Sequence, residues 1–426
     1  MTQVSQTYRV VHLATTDVGG GAAIASYRLH QGLRRLGVDS QMVVAQKLTD
    51  DPYVHGASTL IGKLWARVAH HIDQLPRRLL KTPNTSLLSP SWVPSNAVKR
   101  ALAMKPDIVN LHWVQNAFVH PSSLWLLNNM PTVWTLHDMW VFCGAEHYVG
   151  SDERYIHGYT RSNRPAAERG LDINRWTWRR KMRVLPHLRR LAIVADSVWL
   201  GECAAKSLML QGRRIVPINY GVDTDIFKPV PKDTARYILN IPHDAVVVLF
   251  GAINAASDKR KGIDLLAAAL QHLTKILAQK QSITSYVFGT SSLHQELDFG
   301  VPVQCLGSIT DSIALAVVYS AADVMVVPSR EEAFGQTALE ALSCGVPVVA
   351  FRIGGLVDTV RHRYNGYLAE PFSTEDLAQG IEFVIENNQR HAMLSQNARK
   401  TVLERFTLEH QAQQYMQIYT DLLGSS

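Results

Sequence analysis

Short runs of β-branched and other apolar residues recur along the chain, each followed by a longer stretch with helical spacing. "YRVVHLAT" precedes a helix predicted over about 22–36, then come "SQMVVAQ", "DIVNLHW", "PTVWTLHD" and "LAIVADS". The same grammar restarts at "AVVVLFG" and runs through "ITSYVFG", "VPVQCLG", "DVMVVPS" and "VPVVAF". Strands alternating with helices predict βαβ units and parallel sheets, and the restart predicts two α/β domains in tandem. Between them "INYGVDTDIFKPVPKD" has neither hydrophobic period and is rich in Gly, Pro and Asp, which marks a linker. The boundaries predicted are an N-terminal domain over 1–221, a C-terminal domain over 222–404, and a C-terminal helix over 405–426. Phe406, Tyr415, Ile418, Tyr419 and Leu422 give that helix a packing face. No repeat with a period of 20–50 residues stands out.

Length agrees with this division, since 426 residues exceed one hydrophobic core. With 46% apolar and 19% charged residues the composition is that of an ordinary globular protein. The longest apolar stretch, "IALAVVYSAADVMVV", is shorter than the roughly 20 residues that span a bilayer and carries Asp323. The N-terminal residues lack the basic and apolar regions of a secretory signal, so a cytoplasmic location is expected. Cys143, Cys203, Cys305 and Cys344 are too far apart for a zinc knuckle and read as plain thiols. The net charge of +7 is uneven: residues 1–221 hold 27 basic against 14 acidic residues, and residues 222–426 hold 16 against 22.

Chemistry concentrates at "SREEAFGQTALEALSCG". A buried strand before it and a helix after it place "SREEAFG" at the carboxyl end of a parallel strand, where open α/β sheets bind ligands. Gly335 at the helix start would let a phosphate reach free backbone N–H groups. Carboxylates there must avoid the phosphate and face its neutral neighbours. Glu340 is placed for two ribose hydroxyls and Glu332 for a sugar. The plain alternative makes Glu331, Glu332 and Glu340 a solvated loop and helix face.

The segment "PSREEAFGQTALEALSCGVPVVAFRIGGLVDTVRHRYNGYLAEP" resembles the donor-site signature of glycosyltransferase family 4, retaining enzymes of the GT-B fold. Two glutamates separated by seven residues mark that family, and only Glu332 and Glu340 have the spacing, which leaves Glu331 outside the pair. "GVDTDIFKP", "KGIDLLAAAL" and "YSAADVMVVPSR" resemble its linker, lysine loop and entering strand, and "GGGAAIASYRLHQGLRRLG" its N-terminal glycine loop. "PTVWTLHDMWVFCGAEHY" with "DIVNLHWV" is close to a bacterial branch typified by colanic-acid and exopolysaccharide transferases. The resemblance implies two Rossmann-like domains facing across a cleft, and transfer of a sugar from a nucleotide-diphosphate sugar to a saccharide or lipid-linked saccharide acceptor. It implies no cofactor and no metal.

On that resemblance Lys261 in "DKRKG" meets the diphosphate, and Glu332, Ala333, Phe334, Gly335, Gln336 and Glu340 line the donor site. The family's usual Arg after the preceding strand is Ala252 here, which leaves Arg260 as the substitute. His137 falls in the reacting region, where it would orient hydroxyls, with Asp17, His112 and Asp138 on the acceptor side. As a lone residue, His137 reads more readily as a hydrogen-bonded structural histidine, and it is the resemblance that favours a site role. Gly20 and Gly21 would let the backbone approach the diphosphate. They do not form a dinucleotide fingerprint, because Ile24 takes the third glycine position and Asp39 precedes a strand. Asp223 and Asp225 lie in the linker and read as a turn rather than a metal motif.

Two basic clusters stand in the N-terminal half. "LIGKLWARVAHHIDQLPRRLLK" combines Lys63, Arg67, Arg77, Arg78 and Lys81 with Leu60, Leu64, Trp65, Val68 and Ile72, and "RWTWRRKMRVLPHLRR" adds seven cations. Such helices suit an anionic membrane surface, here the inner face of the cytoplasmic membrane; the alternative is a charged face over a core-packing stripe. No nucleic-acid module is present. Three rival functions remain open at this level. They are a glycosidase with two carboxyl groups about 5 to 10 Å apart, a nucleotide-sugar epimerase on the same fold, and a non-catalytic nucleotide-sugar-binding subunit.

Overall fold

The computed structural model describes residues 8–251, 258–277, 282–293 and 297–424. The chain divides into two compact units, one of Met1–Asn219 with Glu409–Ser426 and one of Tyr220–Leu408.

The first unit contains β1 (Arg9–Thr16), β2 (Asp39–Gln46), β3 (Val54–His55), β4 (Leu80–Lys81), β5 (Ile108–Leu111), β6 (Thr132–Leu136), β7 (Arg169–Gly170), β8 (Leu191–Ala195) and β9 (Ile215–Pro217). Seven of them form a parallel sheet in the order β3-β2-β1-β5-β6-β8-β9, and β4 pairs antiparallel with β7. The central strands are buried along their length, which is why they read as continuous apolar runs rather than alternating ones. Asp39 opens β2 and pairs with Arg9 at 2.6 Å.

Helix α1 (Gly21–Arg35) puts Leu29 and Leu33 against Val10, Ile108, Val133 and Val194 of the sheet. The C-terminal helix Leu408–Gly424 brings Tyr415, Ile418 and Tyr419 into the same apolar cluster. Two tyrosine hydroxyls tie it there. Asn110 Nδ2 donates to Tyr419 at 2.8 Å, and the hydroxyls of Thr135 and Tyr415 lie 2.9 Å apart. Phe406, just before this helix, packs instead on Phe334 of the second unit.

Helix α2 (Leu60–Asp73) is packed by its small residues. At about 100° per residue, Gly62, Ala66, Ala69 and Asp73 share one face. Ala69 and Asp73 are buried there, and the Asp73 carboxylate accepts the backbone N–H groups of Ser91 and Trp92 at 3.1 and 2.8 Å. The bulky stripe of Leu60, Ile61, Leu64, Trp65 and Val68 points the other way, and Leu60 and Ile61 are 85% and 83% exposed. Only Ile72 of the expected apolar set turns partly inward, onto Ala69 and Val93.

The second unit contains β10 (Val246–Gly251), β11 (Ile283–Phe288), β12 (Val303–Gly307), β13 (Val324–Val327), β14 (Val348–Phe351) and β15 (Gly366–Ala369). All pair in parallel, in the order β12-β11-β10-β13-β14-β15. Strand order reverses between β10 and β13, the switch point at which such sheets open a crevice. Helices Ile263–Leu277 and Thr374–Ile385 cover one face around Leu266, Leu270, Leu377 and Ile381. The Asp223–Asp225 stretch is a turn: Asp225 N donates to Asp223 Oδ1 at 3.1 Å and Arg399 holds the Thr224 carbonyl at 2.9 Å. Among the described residues no group of three or more His, Cys, Asp or Glu could hold a metal ion, and no helix is long and apolar enough to cross a membrane. The four cysteines are free thiols.

The tyrosine anchors predict a graded effect on stability. Tyr419→Phe leaves Asn110 without its buried acceptor and should cost about 1–3 kcal/mol. Tyr419→Ala should cost about 3–5 kcal/mol. Urea unfolding of the two variants checks this; no loss in Tyr419→Phe would show that the hydroxyl contributes nothing.

Candidate functional site

In the second unit β13 runs into the loop Pro328–Gly335 and then into the helix Gln336–Ser343, at the carboxyl edge of the sheet. Lys261 Nζ lies 2.6 Å from Glu332 Oε2, and the Ser329 hydroxyl donates to the same oxygen at 3.1 Å. Burial by itself would raise the Glu332 carboxyl. The ammonium of Lys261, with Arg260 and Ser329 behind it, outweighs burial and holds the group below the usual carboxylate range. Glu332 is therefore an anion, and among the described residues no hydrogen bond reaches its Oε1. That oxygen remains available to accept from a hydroxyl.

Gly335 caps the following helix in a left-handed conformation, φ +93°, with no side-chain hydrogen bond to the helix start. A side chain there would also strike Leu356, since a Cβ would sit 2.6 Å from its Cδ2. The left-handed φ is what favours glycine, with the Leu356 methyl a further obstacle to a side chain, and the first-turn N–H groups carry the positive end of the helix dipole. Gln336 is the first helical residue. Ala333 and Phe334 are buried, and the Phe334 ring packs 4.9 Å from Tyr220 and 6.2 Å from Phe406, so these two side chains are engaged in packing. Glu340 is buried one turn further on and accepts from the Tyr319 hydroxyl at 2.9 Å. Glu331 sits half-buried in the loop beside Glu332.

The lysine loop is held by a residue that sequence reasoning missed. Arg330 grips Asp264 with both terminal nitrogens, at 2.8 and 2.6 Å, and also donates to the Lys259 carbonyl at 2.9 Å. Its own N–H donates to the Arg260 carbonyl at 2.7 Å. Arg260 turns its guanidinium to Asp258, 2.6 Å away, and Asp258 also caps the 3-10 turn Lys259–Lys261. Gly355 N donates to the Glu332 carbonyl at 3.0 Å, so the "GG" after β14 buttresses the carboxylate loop from the other side. Ala252, the expected position of a missing arginine, lies outside the described residues.

In the first unit, the carboxyl edges of β1, β5 and β6 gather the remaining candidates. The space beside Gly20, the N-cap of α1, is open, with nothing within 4 Å of where a Cβ would sit, and Gly21 begins the helix. Asp17 is buried and accepts from Leu48 N at 2.9 Å, from Thr49 N at 2.8 Å and from the Thr49 hydroxyl at 2.6 Å, which pins the loop after β2. His112 and His137 are joined, Nδ1 to Nε2, at 3.1 Å. Asp138 accepts from Trp140 N at 2.9 Å, from Trp113 Nε1 at 3.0 Å and from His147 Nδ1 at 2.5 Å. His147 in turn meets the Ser89 hydroxyl at 2.8 Å. Ser89 has no exposed surface, so this Ser–His–Asp line braces the loop rather than attacking a substrate.

Two family models match almost the whole chain. "Glycosyltransferase Family 4" covers residues 19–226, and "Glycosyl transferases group 1" covers residues 232–401. The chain is a family-4 glycosyltransferase of the GT-B fold. One relative, the D-inositol 3-phosphate glycosyltransferase 1 of Catenulispora acidiphila, is 35% identical over 213 residues, which is 47% of this chain and 48% of the relative. The chain thus spans about half the length of the curated relatives it matches. Among solved structures, a sucrose-phosphate synthase from Thermosynechococcus elongatus superposes with TM-score 0.67 at 21% identity, over 98% of this chain and all of that one. Anabaena HepE, solved with UDP-glucose, gives TM-score 0.62 at 18% identity, over 97% of this chain and all of that one. In this family-4 chain, the glutamate pair and the lysine of the family motif fall in the second unit, and the histidine falls in the first.

The histidines predict a pH dependence. Burial, and secondarily the neighbouring histidines, push His12 and His112 well below 6.5; burial takes His137 down to about 4 against the opposing pull of Asp138. Between about 6.5 and 4 the unfolded chain therefore binds protons that the native state refuses, and stability rises with pH across that window. Urea midpoints should fall from pH 7 to pH 5, above the range in which unfolded carboxylates titrate. The fall should be shallower for His112→Gln. An unchanged slope in that variant would show that the buried imidazoles are not its source.

Proposed function

We propose that this chain transfers a sugar from a nucleotide-diphosphate sugar to an acceptor hydroxyl, with retention of anomeric configuration. The observation that carries this reading is the Glu332 carboxylate, kept ionised by Lys261 with one oxygen unengaged, beside a helix N-terminus that glycine leaves open. An anion next to a sugar accepts its hydroxyls, and an uncapped helix start with adjacent cations suits a diphosphate. When the glycosidic bond breaks, the negative charge developing on the departing diphosphate is met by Lys261, by Arg260 and by the helix dipole, all fixed beforehand. These protein groups supply the positive charge without a metal. Glu340 serves the ribose, and His137 of the first unit orients a reacting hydroxyl. Asp17 and Asp138 act by shaping the loops that carry the glycines and the histidine. In this reading departure and attack occur on the same face of the sugar, which gives retention without a nucleophile from the described residues.

The test is a panel of uridine, guanosine and adenosine diphosphate sugars, starting with UDP-glucose, read by thermal shift and by slow donor hydrolysis. One nucleotide sugar should bind and turn over in the presence of a chelator. Glu332→Ala and Lys261→Ala should each lower turnover about 10- to 100-fold, the worth of one charged hydrogen bond. Absence of any nucleotide-sugar binding would end the proposal. Formation of a new nucleotide sugar without an acceptor would point to an epimerase instead.

The acceptor in this reading is a saccharide on a lipid carrier, in exopolysaccharide or lipopolysaccharide assembly, met at an anionic membrane surface. Helix α2 supports this. Its small face is spent on the domain, and its large apolar residues face outward between Lys63, Arg67 and the cations Arg77, Arg78 and Lys81. Each cation near an anionic leaflet contributes about 1 kcal/mol. Replacing Lys63, Arg67, Arg77 and Arg78 with Glu should thus reduce partitioning onto anionic vesicles on the order of a hundredfold or more, with donor binding unchanged. Equal sedimentation of wild type and variant would remove the membrane from the picture.

A further inference from the structure

Helix α2 is fastened at both ends and left hollow between them. Thr59 caps its start, accepting from Gly62 N at 3.0 Å, and the buried Asp73 anchors its last turn through Ser91 and Trp92. Between these ties its inward residues are small, and Gly62 and Ala66 are only half-buried. They roof a cleft of about 460 Å³ whose walls include Ala57, Pro94, Ala97 and Phe118. Protein interiors close such seams with side chains. Leu60, Ile61, Leu64 and Val68 are at hand on the same helix, yet they stand exposed. A concave apolar space kept open beside unused bulk has the character of a ligand site.

A second cleft, of about 1020 Å³, adjoins the first and shares Ala45, Ala57, Ala66 and Arg100 with it. Its character is different. Lys47, Lys63, Arg67 and Arg100 line it, and Asp50 is the one acid among its described lining residues. Arg100, at the seam, donates to the carbonyls of Val44, His55 and Gly56 at 3.3, 2.9 and 2.7 Å, which fix its guanidinium without neutralising the charge. The loop after β5 joins the clefts to the histidines: His112 opens it, and Asn116, Ala117 and Phe118 wall the apolar cleft. Asn116 and Ala117 hold left-handed φ of +56° and +63° there, and strain of this kind collects at ligand sites.

We propose that the two clefts together hold one lipid phosphate, with its hydrocarbon chain under α2 and its phosphate among Lys63, Arg67 and Arg100. An apolar chain suits the first cleft and an anion the second, and a molecule in which the two parts are joined spans the seam at Arg100. The two faces of α2 then have separate tasks. The outer face meets the membrane as a surface, and the inner face takes a single lipid molecule from it. That this lipid carries the sugar acceptor rests on the function proposed above; its binding does not.

The experiment titrates the full chain with butyl, octyl and dodecyl phosphate below their micelle concentrations, read by isothermal calorimetry, with inorganic phosphate and octanol as controls that each carry one part only. Affinity should rise about fourfold for each CH₂ that enters the cleft, the worth of burying one methylene, and neither control should match octyl phosphate. Ala66→Trp fills the cleft without changing charge. It should weaken octyl phosphate by roughly tenfold or more while adsorption to anionic vesicles stays as in wild type, and Ala66→Leu serves if the first variant does not fold. Lys63→Gln combined with Arg67→Gln should weaken octyl phosphate roughly tenfold or more. An affinity independent of chain length, or one that a folded Ala66 variant leaves unchanged, overturns the proposal. Equal binding of inorganic phosphate also overturns it and would make the basic cleft a bare anion site. Nucleotide-sugar turnover without alkyl phosphate binding would sink this inference and spare the proposed function, whereas alkyl phosphate binding in a chain that binds no nucleotide sugar would do the reverse.

Discussion

The carbonyl of Pro328 occupies the place where a side chain at residue 262 would have to go. Gly262 is left-handed, φ +69°, and only a glycine lets the lysine loop lie flat against the end of β13. The rest of the carboxylate site in the second unit follows from that approach. It puts the Arg260 carbonyl under the Arg330 N–H, brings Asp264 within reach of the Arg330 fork, and delivers Lys261 to Glu332. The ion pair at the centre is thus the end point of a backbone fit. A shift of the loop would separate the charges before it broke any of the sheet.

Charges in this half are also arranged in a hierarchy. Arg330 and Asp264 form a bidentate pair at the rim: bonding to Arg330 holds the Asp264 carboxyl down, and bonding to Asp264 raises the arginine. Asp258 occupies Arg260 in the same way. Each cation near the open helix start is thereby oriented by an anion of its own, which spares side-chain entropy when a ligand arrives.

Much of this fold was legible in the sequence, because parallel strands buried on both faces leave unbroken apolar runs, and "VVVLF", "VMVV" and "VVAF" are such runs. Short or weakly apolar strands left no such trace: β3 is two residues long, and β15 is "GYLA". The Glu332 and Lys261 neighbourhood was readable as a motif, yet their mutual ion pair was not, since seventy-one positions separate them and only the sheet order brings them together. Arg330 carried no signal of its own, because its partner Asp264 lies sixty-six positions away. The hydrogen-bonded pair of His12 and His112 was hidden for the same reason, its members a hundred residues apart. Helix α2 shows a further limit. Its periodicity is that of an amphipathic helix, but periodicity does not say which face the protein uses, and here the alanine face packs inward.

The C-terminal helix has a consequence in time rather than in space. Residues Glu409–Ser426 belong to the unit that begins the chain, and the whole of Tyr220–Leu408 is made in between. Synthesis at about 5–20 residues per second means that the first sheet waits on the order of ten seconds or more for Tyr415 and Tyr419 to emerge and cover its face. During that interval Val10, Ile108 and Val133 lack part of their final covering. The second unit, contiguous in sequence, suffers no such delay. The order of maturation is thus opposite to the order of translation: the domain encoded first is the one completed last.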